Sequence, residues 1–405
     1  MFMVATLAAA AVSLSATRVS AQATRADEAE QARQEKAQSL EPHHRSAVER
    51  LLFTLEDDLL LERLLEPPRG LHLRLGGIGE GSGFGVGPAV RYNVPQFDVK
   101  ASAAYSMKKY AIGEAAIRFP GTIGQNDYIR RRGPYVELYG RWRDAPQEDF
   151  FGLGPNSVLA NRTNFAITDT LGRVTGGYQR GKFTGGVELG YLDVSTGAGE
   201  DPRMPSTDTV FPATALPGFE ARPSFLIIEP FIHYATRDRA RSKRSGGEYR
   251  LSAAQYDDRT TQNSFRRWDA DLRQYIGFQK DTRSIALRAW AAGTTADEGN
   301  AVPFYLQPAL GGPSGLRGYR SFRFRDRSAL LLQAEYRWRI NEFVSGALFY
   351  DTGAVAPTLR DLGRLERNYG FGLRAGGRMG SAFRLDFALG GREGRRYLLR
   401  FDDAF

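Results

Sequence analysis

The sequence contains no cysteine and only four histidines among its 405 residues. The absence of cysteine excludes a disulfide-stapled fold, a thiolate metal site and a cysteine nucleophile. It does not identify the cellular compartment, because an exported protein need not contain disulfides. No apolar run of about 18 residues follows the N-terminal segment, so we expect no transmembrane helix.

The chain is instead rich in glycine, with 45 residues, and in aromatic residues, at 12%, while 25% of its residues are charged. Such a composition is typical of a membrane β-barrel, whose lumen is wet. The formal net charge is +9. Because the arginines are spread through successive runs rather than along one helix, we expect no nucleic-acid partner and assign the excess to anionic lipid or a charged lumen.

The first 68 residues differ in character from the rest. Residues 1–23 are predicted to be a secretory signal peptide, although no Lys or Arg precedes its apolar core; an Ala-rich tail is the alternative. Residues 24–68 form a charged linker and an amphipathic helix over 46–66, which Pro67 and Pro68 end. We expect this helix to be periplasmic and to plug the barrel or recruit a partner. A plain connector with one apolar face is the other interpretation.

From residue 69 onward, apolar and charged residues alternate with a period of two. In the run 329–340, Leu332 and Trp338 share one face, whereas Glu335 and Arg337 take the other. The runs 265–278 and 381–390 repeat the pattern. Charges at every second position, opposite a continuous apolar face, are what a lipid-facing strand with a watery lumen requires.

About sixteen such runs follow residue 69, an even number as a closed single-chain barrel usually has. A soluble sandwich also alternates, but these runs of about 10 to 14 residues are long enough to cross a bilayer at a tilt. Long connections such as 144–162, 195–223 and 296–327 alternate with tight ones such as 180–181, the outer-membrane pattern.

We therefore expect an all-β transmembrane barrel of about 16 antiparallel strands over residues 69–405. It would be a monomer, integral to the bacterial outer membrane, with a periplasmic N-terminus. Its surroundings would be outer-membrane lipid and lipopolysaccharide. The terminal Phe405, on a final amphipathic strand, is a common assembly signal of such barrels.

The loop after the eleventh run carries the most specific motif, over residues 310–325, LGGPSGLRGYRSFRFR. It places Arg317 beside Gly318 and Tyr319 in a turn-prone, glycine-rich stretch. The next two strands carry Glu335 and Asp351 on faces that the alternation assigns to the lumen. A solvated external loop without contact to Glu335 is the alternative.

This motif resembles the (V/L)-R-G-(F/Y) loop of the BamA/TamA superfamily of outer-membrane assembly barrels, also called the bacterial surface antigen family. Segments 151–157, 234–238 and 349–353 resemble further family segments in the family's order, and the resemblance spans about residues 69–405. It implies that the loop folds back into the lumen, where Arg317 pairs with Glu335 and Asp351. A guanidinium taken into a crowded lumen needs such carboxylate partners.

The chief departure from the family is at the N-terminus, where residues 24–68 leave no room for a POTRA module. The chain thus resembles a POTRA-less branch. The resemblance implies assembly, insertion or translocation of protein, or of lipid, without a cofactor and with a periplasmic or outer-membrane protein as a partner. We expect a weak lateral seam between the glycine-rich segment 70–87 and the last strand, 395–405, marked by Gly76, Gly77 and Leu399.

Two other function classes remain as alternatives. One is a passive pore or structural barrel. The other is an outer-membrane lipase, which we do not expect, because the sequence has no Gly-x-Ser-x-Gly and spacing suggests no serine partner for His72 or His233. The acidic pairs Asp257–Asp258 and Asp402–Asp403 are expected to be solvated rather than to bind a metal ion.

Overall fold

The computed structural model describes residues 69–120, 132–236, 245–279, 282–341, 344–375, 383–391 and 393–400. The predicted signal peptide, the linker with its helix over 46–66, and Phe405 lie outside the described residues, as do the pair Asp402–Asp403 and parts of several turns.

Eighteen strands are described, and sixteen of them form one sheet. The sixteen are β1 (Gly70–Gly76), β2 (Gly85–Asn93), β3 (Asp98–Ser106), β4 (Ala111–Phe119), β5 (Arg132–Phe150), β6 (Thr163–Arg180), β7 (Phe183–Ala198), β8 (Ser224–Ala235), β9 (Gly246–Asp258), β10 (Phe265–Phe278), β11 (Arg283–Ala296), β14 (Ser328–Arg339), β15 (Val344–Ala356), β16 (Glu366–Ala375), β17 (Phe383–Leu389) and β18 (Arg395–Arg400).

Two short strands, β12 (Ala309–Leu310) and β13 (Phe324–Arg325), pair with each other inside the long connection between β11 and β14. The described helices are also short: α1 (Thr207–Val210) and 3₁₀ turns at Leu159–Asn161, Ala213–Ala215, Phe304–Leu306 and Leu359–Asp361. Within the described ranges, every helix is too short or too polar to cross a membrane.

Each strand of the large sheet pairs antiparallel with its neighbours in chain order. The result is a nearly closed sixteen-stranded antiparallel barrel, which confirms the fold class and the strand number expected from the sequence. The connection that carries the Arg317 motif follows the eleventh strand, β11, as predicted.

The alternation of the sequence becomes the two faces of the wall. On β14, Leu332 is 38% exposed on the outer face, while Glu335 is buried inside. On β17, Arg384 and Asp386 are buried on the inner face. Side chains of successive strand residues point to opposite faces, so a two-residue period sorts apolar groups outward and charges inward.

The sequence-based expectation of strands of 10 to 14 residues holds for β8 to β11 and β14 to β16 but is wrong for the other strands of the large sheet. The β5–β6 hairpin is much taller, with 19 and 18 residues, whereas β1 has 7 and β18 has 6 described residues. The predicted connection 144–162 accordingly shrinks to 151–162. The ladder continues past a register shift between Ala145 and Glu148, and such a bulge keeps a strand paired where its alternation is interrupted.

The long connections gather at one end of the barrel, which we call the long-loop end. They include 199–223 after β7 and 297–327 after β11, whereas the opposite end has tight turns such as 181–182. Inside the long-loop end these loops bury an apolar cluster, in which Phe304 packs edge-on against Phe150 and Phe165 at 4.9 Å between ring centroids. This cluster lies inside the barrel at that level.

Candidate functional site

The connection between β11 and β14 folds back on itself before it meets the wall. Ala309 pairs with Arg325 and Leu310 with Phe324, so the segment 310–325 forms a closed lobe, which we call the lumenal loop. Gly312 N–H donates a hydrogen bond to Tyr319 O at 3.0 Å. Gly311 has a φ of 113°, a conformation that glycine adopts without strain. Together these turns hold Arg317 at the tip of the lobe.

Arg317 is fully buried and makes contact with two carboxylates. Its Nε and Nη2 donate to Asp351 Oδ2 and Oδ1 at 2.8 and 2.7 Å, and its Nη1 donates to Glu335 Oε2 at 2.7 Å. The guanidinium also stacks over Phe349, 3.5 Å from the ring centroid. This planar, bidentate geometry suits arginine and not lysine.

Burial alone would lower the pKa of Arg317, but the nearby charges of Asp351 and Glu335 outweigh it and raise that pKa above its ordinary value. The cation is therefore permanent. It lies between two strands that follow each other in the chain, β14 and β15, and so joins the lumenal loop to both.

Several neighbouring charges, which the sequence did not single out as site residues, complete the network. Glu335 also accepts hydrogen bonds from Arg337 at 2.8 Å and from Arg374 at 3.0 Å. Arg374 donates in turn to Asp386 at 2.6 Å, and Asp386 lies 3.6 Å from Arg317. Ion pairs thus extend the contact of one loop residue over β14, β15, β16 and β17.

Asp351 has further partners on both sides. Gln333 donates to its Oδ1 at 3.1 Å, and Asn368 donates to its Oδ2 at 2.9 Å. Gln333 also donates to the carbonyl of Gly315 at 2.9 Å. The lumen position of Asp386 and Arg384 was visible in the alternation of β17, but nothing in the sequence distinguished Asn368 from any other polar residue on an inner face.

The two residues after Arg317 fit closely against the wall. A Cβ added at Gly318 would lie 2.6 Å from Asn368 Cβ, so a side chain has no space there. Tyr319 is buried against Leu310, Leu316 and Phe324, and its hydroxyl donates to Glu366 Oε2 at 2.7 Å. The backbone at Gly318 therefore lies directly against the barrel wall.

The segment 151–157 reaches the lumenal loop from the opposite side of the lumen. Arg323 Nη1 donates to Ser157 Oγ at 2.7 Å, and Arg323 also pairs with Glu393. Arg325 donates to Glu148 at 2.9 Å and to the carbonyl of Phe304 at 3.0 Å. These buried contacts anchor the base of the loop to the tall β5–β6 hairpin.

The predicted seam residues lie at the two ends of the large sheet. Gly76 is the last residue of β1 and Leu399 lies in β18, while Gly77 starts the β1–β2 turn. Among the described residues β1 pairs with β2, β18 pairs with β17, and no ladder joins β1 to β18. A Cβ added at Gly77 would lie 3.6 Å from Arg400 Nη1, so the turn and the last strand are close neighbours.

The expected glycine-rich seam strand over 70–87 needs correction. Gly77, Gly79, Gly81 and Gly83 lie in the turn between β1 and β2 rather than in a strand. Gly81 and Gly83 have φ values of 78° and 73°, which suit a turn and not a ladder. The β1 strand itself is short and carries Leu71, which is 82% exposed.

No group of three or more metal-ligating side chains occurs among the residues that the structure describes. His72 lies in β1 and His233 in β8, where it stands opposite Thr184 on one side and Arg250 on the other. The acidic residues Asp257 and Asp258 contact neighbouring residues in the chain. Asp257 pairs with Arg259 at 2.9 Å, and Asp258 accepts a hydrogen bond from Thr260 N–H at 2.9 Å.

Residues 232–397 match the family model described as the Omp85 superfamily domain. No curated protein matches the sequence. Among solved structures, the chain is similar to BamA from Haemophilus ducreyi lacking POTRA domains 1–3, at 13% identity and a TM-score of 0.59, over 82% of this chain and 70% of that one.

Two further solved structures are similar over much of the chain. CdiB from Acinetobacter baumannii shares 12% identity, with a TM-score of 0.47, over 82% of this chain and 56% of that one. Wzi, a carbohydrate-binding barrel involved in group 1 capsule assembly in Escherichia coli, shares 10% identity, with a TM-score of 0.33, over 90% and 86%. The family match over residues 232–397 and the BamA-like fold support the predicted resemblance: the chain is a sixteen-stranded β-barrel that is similar to the Omp85 superfamily.

Proposed function

We propose that this barrel inserts or translocates proteins, or lipid, at the outer membrane by opening laterally between β1 and β18. The lumenal loop acts as a latch in this mechanism: it holds β14 to β17 together as a rigid wall, so that opening is confined to the seam. The long-loop end faces the cell exterior and the N-terminus faces the periplasm.

The observation that carries the proposal is the pair of unjoined edges. In the described part of the chain, the first and last strands each have one ladder partner. An edge strand presents unpaired N–H and C=O groups that can bind another strand. A client strand could therefore add to β1 or β18 by ordinary sheet pairing, as in other cases of β-augmentation.

The Arg317 network supports the latch role. Removing one partner from a buried set of ion pairs leaves the others uncompensated, so the arrangement favours one loop position strongly. The contacts of Arg317 with Glu335 and Asp351 tie the loop to neighbouring strands that lie away from both edges.

The alternative of a passive pore has less support. The cluster around Phe304 places several buried aromatic side chains inside the barrel at the long-loop end. A water-filled channel needs a polar, open path along the barrel axis, which such a cluster obstructs. We expect small or no steady ion conductance in planar bilayers, and a large Arg317-independent conductance would favour the pore.

Lateral opening is tested by a covalent crosslink between the two sides of the seam. Because the chain has no cysteine, the pair Gly77→Cys and Leu399→Cys provides two unique thiols for a short bis-thiol crosslinker. Gly77 is preferable to Gly76, whose φ of 118° would strain any other residue. A Cβ at Gly77 meets its nearest atom at an ordinary 3.6 Å. We expect crosslinking to lower the outer-membrane content of client barrel proteins and to raise sensitivity to large antibiotics.

The matched control joins two strands that are already paired. Leu373 stands opposite Leu385 in the β16–β17 ladder, so Leu373→Cys with Leu385→Cys can be crosslinked without closing any edge. This variant should behave as the uncrosslinked protein does. If the seam crosslink is as harmless as the control, lateral opening is wrong.

A protein partner is the remaining part of the proposal. The segment 46–66, which lies outside the described residues, is the candidate contact. Photo-crosslinkers placed along it in cells should capture a periplasmic protein if it recruits one. Products formed only within the same chain would assign it to plugging the barrel.

A further inference from the structure

Two adjoining cavities open at the long-loop end, beside the seam. The first, of about 200 Å³, lies between the β1–β2 turn, the lumenal loop and β18. The second, of about 340 Å³, shares Lys108, Arg162 and Arg320 with it and adds Arg203. One water needs about 10–15 Å³ of such space, so each cavity has room for a group as large as phosphate.

The side chains around these cavities are mainly basic. Two acidic residues, Asp149 and Asp201, face six basic ones: Lys108, Arg162, Arg203, Arg320, Arg396 and Arg400. The excess of positive charge lies in a concave space. The surrounding protein has a low dielectric constant, so the positive potential there is stronger than on a flat surface.

Part of this charge is neutralised within the protein. Arg162 donates to both oxygens of Asp149 at 3.0 Å, and Arg203 pairs with Asp201 at 2.8 Å. Lys108 donates to the carbonyl of Gly81 at 2.8 Å. The pKa of Lys108 is lowered, chiefly by burial and also by the neighbouring Arg162 and Arg203.

Arg320 and Arg396 are different. Within the described residues neither guanidinium forms an ion pair, and the Nη1 atom of Arg396 is buried without a hydrogen-bond partner. A buried, unsatisfied charged donor is costly unless something pairs with it. Two guanidinium groups lining one cavity suit a tetrahedral oxyanion, because each can donate two parallel hydrogen bonds to it.

The remaining wall of the first cavity has few side chains. It is formed by the turn that contains Gly77, Gly79, Gly81 and Gly83, together with Pro313, Ser321 and Leu398. Glycine lets a ligand approach the backbone closely, and a turn with positive-φ residues can direct N–H groups at an anion.

We propose that these cavities bind a phosphate group, with Arg320 and Arg396 as its principal ligands. The cavity adjoins the seam, where the outer faces of β1 and β18 meet lipid, so the phosphate is carried by a lipid headgroup; free phosphate is the other source of the same chemistry. The site is independent of whether the seam opens.

The direct test is a binding titration of the purified full-length protein in a nonionic detergent. The probes are a phosphorylated glycolipid from lipopolysaccharide, the same lipid after phosphatase treatment, and inorganic phosphate. We expect the phosphorylated lipid to bind at least about tenfold more tightly than its dephosphorylated form, and to weaken as salt is raised. Equal binding of the two lipids overturns the proposal.

The variants separate this site from general basicity. Arg320→Gln with Arg396→Gln should remove the preference for the phosphorylated lipid. Arg395→Gln, which removes one positive charge from the opposite, exposed face of β18, should retain it, and Arg396→Gln alone is the variant of matched charge. A double variant that binds as the wild type does would overturn the assignment. If inorganic phosphate competes only at millimolar concentrations, the lipid headgroup is the ligand. If inorganic phosphate binds as tightly as the phosphorylated lipid does, the site belongs to the free ion.

A second variant guards against misfolding of the double variant. A Cβ at Gly79 has no atom within 4 Å, so Gly79→Glu can bring a carboxylate to the cavity without removing a contact. It should weaken binding of the phosphorylated lipid while leaving the migration of the folded barrel on gels unchanged. Unaltered binding by this correctly folded variant would count against the site.

Discussion

The wall around β14 to β17 and the seam between β1 and β18 belong to the same sheet and obey the same alternation, yet they are held in different ways. The first is joined across its strands by a fully buried cation and its carboxylates. At the other, the Arg74–Glu114 pair joins β1 to β4 at 2.5 Å, but both side chains are about a quarter exposed. A partly exposed pair is screened by solvent, whereas a buried network resists the loss of any member.

The lumenal loop also reaches both sides of the seam: Arg323 forms a buried pair with Glu393 just before β18, while the contact on the β1 side is weaker. Ser321 Oγ donates to Glu80 Oε2 at 3.3 Å, a long hydrogen bond between a hydroxyl and a partly buried carboxylate. The loop is therefore bound by buried ion pairs along β14 to β18 and by a single long hydrogen bond beside β1. The comparison suggests that stability along this barrel is set by loop contacts as much as by strand pairing.

The strongest way to break this comparison is to remove the central cation. Arg317→Ala leaves Glu335 and Asp351 buried and partly uncompensated, and should cost about 3–5 kcal/mol of stability. The measurement is the unfolding midpoint in denaturant together with loss of heat-modifiable migration on gels. The stability of Arg317→Lys should lie between those of the wild type and Arg317→Ala, because lysine keeps the charge but loses the bidentate geometry.

The control for that variant is Arg367→Ala, which removes an exposed arginine from β16. Its stability should stay within about 0.5 kcal/mol of the wild type. If both alanine variants unfold at the same denaturant concentration, the buried network does not distinguish the two regions.

A smaller change sharpens the comparison by acting on shape alone. Gly318→Ala adds a methyl group 2.6 Å from Asn368 Cβ, and such overpacking should cost about 1–3 kcal/mol. Gly363→Ala, where the added atom meets nothing within 4 Å, is the matched control. The thermal unfolding midpoints of the two variants, measured in the same detergent, show the difference in stability. Equal midpoints would contradict a close fit of the loop against the wall.

The smallest expected effect comes from one hydroxyl. Tyr319→Phe removes the hydrogen bond to Glu366 while keeping the packed ring, so we expect a loss of about 1 kcal/mol. Tyr369→Phe, on the exposed outer face of β16, should change stability less. A larger loss from Tyr369→Phe would mean that lipid contacts, and not the loop, dominate this wall.

The architecture was largely accessible from sequence because its signal is periodic and repeated. Sixteen alternating runs, and a loop motif after the eleventh, need no knowledge of distant contacts. The lumenal positions of Glu335 and Asp351 followed from the same two-residue alternation, and in the structure both contact Arg317. Their role as a latch stays a prediction.

What the sequence did not reveal depends on packing between distant segments. Arg374 and Asn368 join the network because β16 lies beside β15 at one particular register, which alternation alone does not specify. The glycines of 77–83 were assigned to a strand because composition does not separate a turn from a weak strand. The height of β5 and β6 depends on a bulge, which interrupts the very period used to find strands.

The uneven height of the wall has a consequence for the surrounding bilayer. At about 3.3 Å per residue and a tilt of about 40°, the 7 residues of β1 span under about 20 Å along the membrane normal, less than the roughly 30 Å of a typical hydrocarbon core. The 19 residues of β5 reach well beyond it. Lipids packed against β1 must therefore shorten to match the protein, and the elastic strain of that hydrophobic mismatch is concentrated on one side of the molecule.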